Sequence, residues 1–154
     1  MANTCTQLYV QCVFAVKYRS ALLHQQWEER LRLYITAIVQ NHKHKMIAIT
    51  NMPDHLHFFI GLHPTQAVSN MMQLVKGDSS KWVNEEKLTK RKFHWQDGYG
   101  AFTYSRSQID SVASYIHNQK EHHKKVGFID EYQKMLKSFD IGYDPRYIFK
   151  EPED

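Results

Sequence analysis

Two histidines separated by one residue, His55 and His57, form the first pattern that could do chemistry. On a β-strand, side chains two residues apart point to the same face, so both imidazoles would lie together while Leu56 points to the other face. Paired imidazoles can bind one divalent ion. The same spacing occurs on solvated strand faces, so the pair indicates a metal site only in combination with other residues.

A second pattern follows Ser107, where residue spacing predicts a helix. Its apolar stripe consists of Ile109, Val112, Ala113 and Ile116. Tyr115 and Gln119 are four residues apart and share one flank of that stripe. A tyrosine hydroxyl is a potential nucleophile, although an isolated tyrosine at the edge of a core more often binds only water.

Three further histidines follow on or near this helix: His117, His122 and His123. They offer additional ligands or contacts to phosphate. A solvated, weakly basic helix face would have the same composition. We therefore do not assign them as metal ligands.

The elements that must position these residues follow the order β-α-β-β-α-β-α-α. Periodicity predicts strands at about 7–16, 46–49, 55–62 and 93–104, and helices at about 22–41, 65–83, 107–125 and 128–139. We expect Thr65 to cap the second helix, Gly77 to interrupt it, and Ser107–Asp110 to form a capping box before the third.

This order is typical of the α+β class, in the ferredoxin-like split βαβ arrangement. It predicts a four-stranded antiparallel sheet with helices on one face, followed by a C-terminal helix that bears the tyrosine. The length of 154 residues fits one domain, residues 1–154. In the segment from about 143 to 154, we expect Tyr143, Tyr147 and Phe149 to pack and the rest to be frayed.

Composition excludes several classes. No segment approaches the ~18 apolar residues of a membrane span, and the first five residues lack the pattern of a signal peptide, so we expect a cytoplasmic protein. Cys5 and Cys12 would be roughly 23 Å apart on an extended segment, too far for a disulfide, and are predicted to be buried free thiols. The net charge of +4 permits a polyanionic partner.

The His-Leu-His strand and the Tyr-Ile-His-Asn-Gln helix together resemble the single-tyrosine HUH transposases of IS200-like insertion sequences. The resemblance extends along nearly the whole chain, through the segments Val16–Arg19, Met52–His57, Leu74–Ser80, Phe93–Phe102, Tyr115–His123 and Tyr143–Tyr147.

The resemblance implies a role for each residue of the two patterns. His55, His57 and Gln119 would hold a divalent ion, Mg²⁺ or Mn²⁺. Tyr115 would attack a phosphate of single-stranded DNA, become linked to the 5′ phosphate and release a 3′ hydroxyl. No nucleotide cofactor is expected, and the sequence has no GxxxxGK[ST] phosphate loop.

The chemistry is consistent with these roles. Two imidazoles and an amide are neutral ligands, so the ion would keep its full charge near the anionic phosphodiester. A free tyrosine has a pKa near 10, and a nearby dication favours the phenolate. A zinc hydrolase is an alternative because imidazole suits zinc, but the chain has neither an HExxH motif nor a cysteine near the histidine pair.

The resemblance also implies partners: single-stranded DNA with hairpin ends, and a second copy of the chain in a homodimer joined at the sheet edges. The tyrosine helix could then serve its own site or the partner's, with residues 103–107 as the hinge. Candidate DNA contacts, by residue type and position, are Lys17, Tyr18, Arg19, Lys76, Ser79, Lys81, Arg91 and Trp95. Any of these can equally belong to a solvated basic face.

Three alternative functions remain open at this point. The first is a domesticated enzyme that processes repeated palindromes by the same chemistry. The second is a non-catalytic module that binds single strands by stacking, for which Phe58 would have to be exposed rather than in the core as predicted. The third is a metal-dependent hydrolase that forms no covalent adduct.

Overall fold

Four antiparallel strands form one sheet in the computed structural model, which describes residues 3–154. They are β1 (Tyr9–Ala15), β2 (Lys45–Met52), β3 (His55–Gly61) and β4 (Gly100–Tyr104). The order across the sheet is β2-β3-β1-β4, so β1 and β3 are central. This confirms the predicted α+β class and its ferredoxin-like order of elements.

Five helices cover the sheet. They are α1 (Glu28–Asn41), α2 (Val68–Glu85), α3 (Ile109–His117), α4 (Gln119–His122) and α5 (Phe128–Ser138). Helices α1 and α2 pack on the face that carries Phe14, Leu56 and Phe58, where the main core lies. Helix α3 packs on the opposite face, through Val112 and Ile116 against Phe59.

The alternation of β3 determines what each face offers. Leu56, Phe58 and Ile60 enter the main core, whereas His55, His57 and Phe59 point to the opposite face, as predicted. The β2–β3 hairpin places Met52 opposite His55, and β1 places Val13 opposite His57. Both histidines therefore lie on a central strand of the sheet, and the burial of Phe58 removes it as a stacking platform.

Several local predictions are wrong. Helix α2 begins at Val68 without a side-chain cap, because Thr65 instead hydrogen-bonds to His63. Gly77 does not interrupt α2, which continues through it. The capping box is formed by Ser105 and Gln108, since a short 3₁₀ turn precedes α3.

Three predicted elements are also shorter than expected. Helix α1 begins at Glu28 rather than near residue 22, and the predicted third helix divides at Asn118 into α3 and α4. The predicted strand 93–104 is reduced to β4 because Gly98 turns the chain with a positive φ of 83°. Before that turn, Trp95 forms only an isolated bridge with Val16.

The last residues are more ordered than predicted. The Glu153 amide donates to the Lys17 carbonyl (2.8 Å) and the Arg19 amide donates to the Glu153 carbonyl (2.7 Å), so the chain end is paired rather than frayed. Phe149 is buried, as expected, but Tyr147 is 81% exposed. Both cysteines within residues 3–154 are free, as predicted; Cys12 is buried, but the prediction is wrong for Cys5, which is exposed.

Among the described helices, none combines the length and the apolar content needed to cross a lipid bilayer.

Two glycines test the packing around α2 and α5: Gly77 lies within α2, and Gly100 of β4 faces Tyr132 of α5. Gly77 has open space around its Cα, whereas a Cβ on Gly100 would lie 2.7 Å from the Tyr132 Oη of α5. We expect Gly77→Ala to raise the free energy of unfolding by about 0.5–1 kcal/mol, through helix propensity. Gly100→Ala should lower it by about 1–3 kcal/mol, through overpacking. Urea unfolding followed by circular dichroism measures both, and equal effects of the two variants would contradict the packing described for Tyr132.

Candidate active site

The histidine pair is fully buried on β3, with its ring centroids 5.2 Å apart. The Nδ1 atom of His55 lies 2.7 Å from Asp54 Oδ1, and the Nδ1 atom of His57 lies 2.8 Å from Gln11 Oε1. The amide nitrogen of Gln11 donates to the Tyr104 hydroxyl, which orients its oxygen toward His57. Both Nδ1 atoms therefore face acceptors, and each ring turns its Nε2 away from them.

The two Nε2 atoms converge on a carboxylate that sequence reasoning missed, Glu131 of α5. Its Oε1 lies 3.1 Å from His57 Nε2 and 3.7 Å from His55 Nε2. Glu131 is buried, and so are Phe128, Tyr132 and Leu136 on the same side of α5. A glutamate three residues after the first member of an apolar stripe lies on the buried face, and that was the signal available in the sequence.

Tyr115 reaches the same carboxylate from α3. Its hydroxyl donates to Glu131 Oε2, and its ring centroid is 6.1 Å from that of His57. Val112 and Ile116, which pack against Phe59, hold the helix in this position. The predicted meeting of the phenol and the imidazoles thus occurs within one chain, with the tyrosine helix on its own site.

Gln119 is buried one helical turn beyond Tyr115 and also contacts the carboxylate. Its Nε2 donates to Glu131 Oε2 (3.1 Å), and its Oε1 faces His123 Nε2 (2.8 Å). The atom that would bind a metal ion therefore faces His123 rather than the histidine pair. A ligand role for Gln119 stays a prediction.

His122 and His123 complete the ring of side chains around Glu131. The Nε2 of His123 lies 3.2 Å from Oε1, and the Nε2 of His122 lies 3.1 Å from Oε2. His117 is exposed at the end of α3. Two of the three additional histidines are thus part of the site.

Burial and charge act in opposite directions on these groups. Burial raises the pKa of Glu131, but hydrogen bonds with His123 and His57 outweigh it and the net pKa is lowered. Burial lowers the pKa of His55 despite the Asp54 hydrogen bond. Burial and the Glu131 charge both raise the pKa of Tyr115. The site therefore combines an ionised carboxylate with a protonated phenol.

An open cavity of about 540 Å³ borders the tyrosine. Its lining includes Tyr115, Tyr104, Glu131 and Lys134. The ring of Tyr115 thus has a side open to an incoming substrate, although its hydroxyl is directed to Glu131.

Two residues predicted to contact DNA lie in the interior instead. Trp95 is 7% exposed, with ring centroids 4.5 Å from Phe14 and 4.9 Å from Phe93. Its indole nitrogen donates to the hydroxyl of Ser79, which is also buried. Stacking of a base on Trp95 and a DNA contact by Ser79 are therefore not supported, because both side chains are occupied within the fold.

Tyr18, Arg19 and Arg91, which were also predicted to contact DNA, contact other residues of the chain instead. The Arg91 guanidinium lies 3.4 Å from the centroid of the Tyr18 ring. Arg19 donates to the Pro152 carbonyl (2.9 Å). These contacts connect the candidates to one another and to the chain end.

Lys76 donates to the carbonyls of Gln96 (2.8 Å) and Gly98 (2.6 Å), and so holds the turn before β4. Lys81 is exposed on α2. Lys17 lines a separate cavity of about 340 Å³ together with Arg146 and Lys150. The cavity is also lined by Asp97, Glu151 and Glu153, so three carboxylates accompany its three cations.

The histidine pair fits a divalent cation. The buried His55 Nε2 has no hydrogen-bond partner within the described chain, and His55, His57 and Glu131 each offer one ligand atom within 4.8 Å of the other two. Carboxylate suits Mg²⁺ and Mn²⁺, whereas imidazole suits zinc and other transition metals. Asp54 and Gln11 orient the rings from behind, as supporting residues do in metal sites.

Comparison with known proteins agrees with this geometry. The ISDra2 transposase TnpA of Deinococcus radiodurans is 25% identical over 120 residues, covering 75% of this chain and 86% of the relative. A crystal structure of a Deinococcus radiodurans transposase superposes with a TM-score of 0.62 at 22% identity, over 77% of this chain and 95% of that one.

A REP-associated tyrosine transposase bound to a REP hairpin superposes with a TM-score of 0.61 at 15% identity, over 100% of this chain and 98% of that one. These two structures establish the likeness of fold. The sequence model of the family "Transposase IS200 like" matches residues 4–119, which include the histidine pair, Tyr115 and Gln119. The chain therefore belongs to the IS200-like transposase family, a family of DNA-processing enzymes.

Proposed function

We propose that this transposase cleaves and rejoins single-stranded DNA through Tyr115, with a divalent ion held at His55 and His57. One observation carries the proposal: the Tyr115 hydroxyl and both Nε2 atoms converge on the same buried carboxylate. A nucleophile and a cation site so close together are what phosphodiester cleavage requires.

Each group has a distinct part in this chemistry. The Tyr115 oxygen forms a bond to phosphorus while the bond from phosphorus to the 3′ oxygen breaks, so the 5′ phosphate stays on the protein and a 3′ hydroxyl is released. A bound Mg²⁺ or Mn²⁺ would supply positive charge beside the phosphate oxygens. Because the product is itself a phosphodiester, rejoining needs no nucleotide cofactor.

We further propose that the substrate carries a hairpin and that two copies of the chain act together. A hairpin is bound to the structurally similar REP-associated transposase. Lys17, Arg146 and Lys150 line one cavity and could contact phosphates there, although three carboxylates share the same cavity. The outer edges of β2 and β4 have no neighbouring strand within the described chain, and such edges favour pairing between copies.

A covalent adduct tests this function directly. Purified protein is incubated with Mn²⁺ and a labelled single-stranded oligonucleotide that contains a hairpin. We expect labelled DNA to stay attached to the protein under denaturing conditions. Mass spectrometry should locate the DNA fragment on the Tyr115 peptide. Metal-dependent cleavage without any adduct would contradict the proposal and favour a hydrolase.

Processing of palindromic repeats is a second candidate. It is favoured by the structure of the REP-associated transposase, which superposes on 100% of this chain, whereas the Deinococcus radiodurans structure superposes on 77% of it. The chemistry at Tyr115 would be the same. Cleavage of repeat hairpins in preference to insertion-sequence ends, in a competition between the two oligonucleotides, would support this candidate.

A further inference from the structure

We propose that Glu131 is a carboxylate ligand of the divalent ion, provided by α5 from outside the part of the chain that matches the family. This inference rests on the proposed function and specifies the composition of its metal site. Glu131 comes after the matched residues 4–119, and its side chain is buried against both histidines.

The buried ligand atoms indicate that a cation belongs between these groups. Asp54 and Gln11 lie against the Nδ1 atoms of His55 and His57, so each ring turns its Nε2 toward Glu131. Glu131 Oε1 lies 3.1 Å from His57 Nε2, whereas the buried Nε2 of His55 has no hydrogen-bond partner within the described residues. A divalent ion between the three atoms would be a partner for that nitrogen and would compensate the charge of the buried carboxylate.

The spacing agrees with three ligands of one ion. Ligands that bind Mg²⁺ at about 2.1 Å in an octahedron lie about 3.0 Å from their neighbours. The distance from His57 Nε2 to Glu131 Oε1 is 3.1 Å, and that from His55 Nε2 is 3.7 Å. A small movement of the His55 side chain toward Glu131 would bring both distances to the spacing of about 3.0 Å between neighbouring ligands.

Packing on both sides of Glu131 keeps it at the site. Phe128 stacks on His55, with ring centroids 4.0 Å apart and planes inclined by 13°. Tyr132 packs against Phe102 and Phe149 and occupies the space left by Gly100. The carboxylate is therefore fixed by the fold.

A carboxylate ligand changes the properties expected of the site. The neutral set of His55, His57 and Gln119 would leave the full charge on the ion, whereas Glu131 adds one negative charge and favours the hard ions Mg²⁺ and Mn²⁺. Its other oxygen accepts from the Tyr115 hydroxyl and the Gln119 amide. The nucleophile is thereby positioned by a group that also binds the ion.

Metal affinity, measured without DNA, tests the inference. Protein stripped with EDTA is titrated with Mn²⁺ by isothermal titration calorimetry. We expect Glu131→Gln to weaken Mn²⁺ binding by at least about tenfold, because changes even to residues that only support metal ligands cost about ten- to 100-fold in affinity. The matched control is Asp130→Asn, which removes the same charge from an exposed neighbour on α5 and should leave the affinity unchanged. Zn²⁺ affinity should fall less than Mn²⁺ affinity, since imidazole suits zinc.

The outcomes separate this inference from the proposed function. If Glu131→Gln binds Mn²⁺ as tightly as the wild type or more tightly, Glu131 only occupies the ion's place and the inference is overturned. If the wild type binds neither Mn²⁺ nor Mg²⁺, the metal site of the proposed function fails as well. Should Glu131→Gln not fold, Glu131→Asp, with a carboxylate one methylene shorter, replaces it, and unchanged affinity there would also overturn the inference.

Discussion

Tyr115→Phe is expected to eliminate the covalent protein–DNA adduct. The substitution removes the only atom that would bond to phosphorus, while the ring keeps its place between His57 and His122. No other group can restore the phosphotyrosine bond, so we expect adduct formation to fall below detection rather than by a modest factor. Gel electrophoresis of labelled DNA under denaturing conditions measures the adduct.

A matched control is available on the other side of the sheet. Tyr34 of α1 stacks on Trp82, with ring centroids 5.0 Å apart, so Tyr34→Phe makes the same chemical change away from the site. This variant should form the adduct at the wild-type level. Persistence of the adduct in Tyr115→Phe would show that a different residue is the nucleophile.

The second large effect is expected at the histidine pair. His57→Ala removes an imidazole whose Nε2 lies 3.1 Å from Glu131 and whose Nδ1 is held by Gln11. We expect Mn²⁺ binding and DNA cleavage both to fall by at least about 100-fold, since even supporting residues of metal sites cost ten- to 100-fold when changed. Calorimetry measures the binding, and oligonucleotide cleavage measures the activity.

Two comparisons make this result interpretable. His42→Ala removes an exposed histidine at the end of α1 and should change neither quantity. EDTA treatment of the wild type should reproduce the cleavage defect without altering any side chain, and added Mn²⁺ should reverse it. Full cleavage by metal-stripped protein would exclude a metal-dependent reaction.

The sequence predicts the central part of this site because that part depends on local periodicity. Alternation along β3 places His55 and His57 on one face, and the four-residue spacing of Tyr115 and Gln119 places both on one helix flank. The apolar stripe around Val112 and Ile116 then brings that helix to the same side of the sheet. In regular strands and helices, the spacing of two residues in the sequence determines whether their side chains point to the same face.

The remainder depends on contacts between distant segments. Glutamate is usually exposed to solvent, and only the docking of α5 against His55 and Phe102 makes Glu131 part of the site. Trp95 is a plausible stacking residue by type, but its pairing with Ser79 on α2 places it in the core. The spacing of Glu131 from Phe128 indicates its face of α5 but not its neighbours, and the Trp95 contact leaves no periodic signal in the sequence.

The docking of α5 also has a practical consequence for anyone who shortens this protein. A fragment that ends at residue 119 would retain every position in the family match, yet it would lose the ring that covers His55 and the aromatic partners of Phe102. Apolar surface and the ring of His55 would become exposed to water. The smallest self-sufficient fragment must therefore extend through Phe149, whose ring packs on α5.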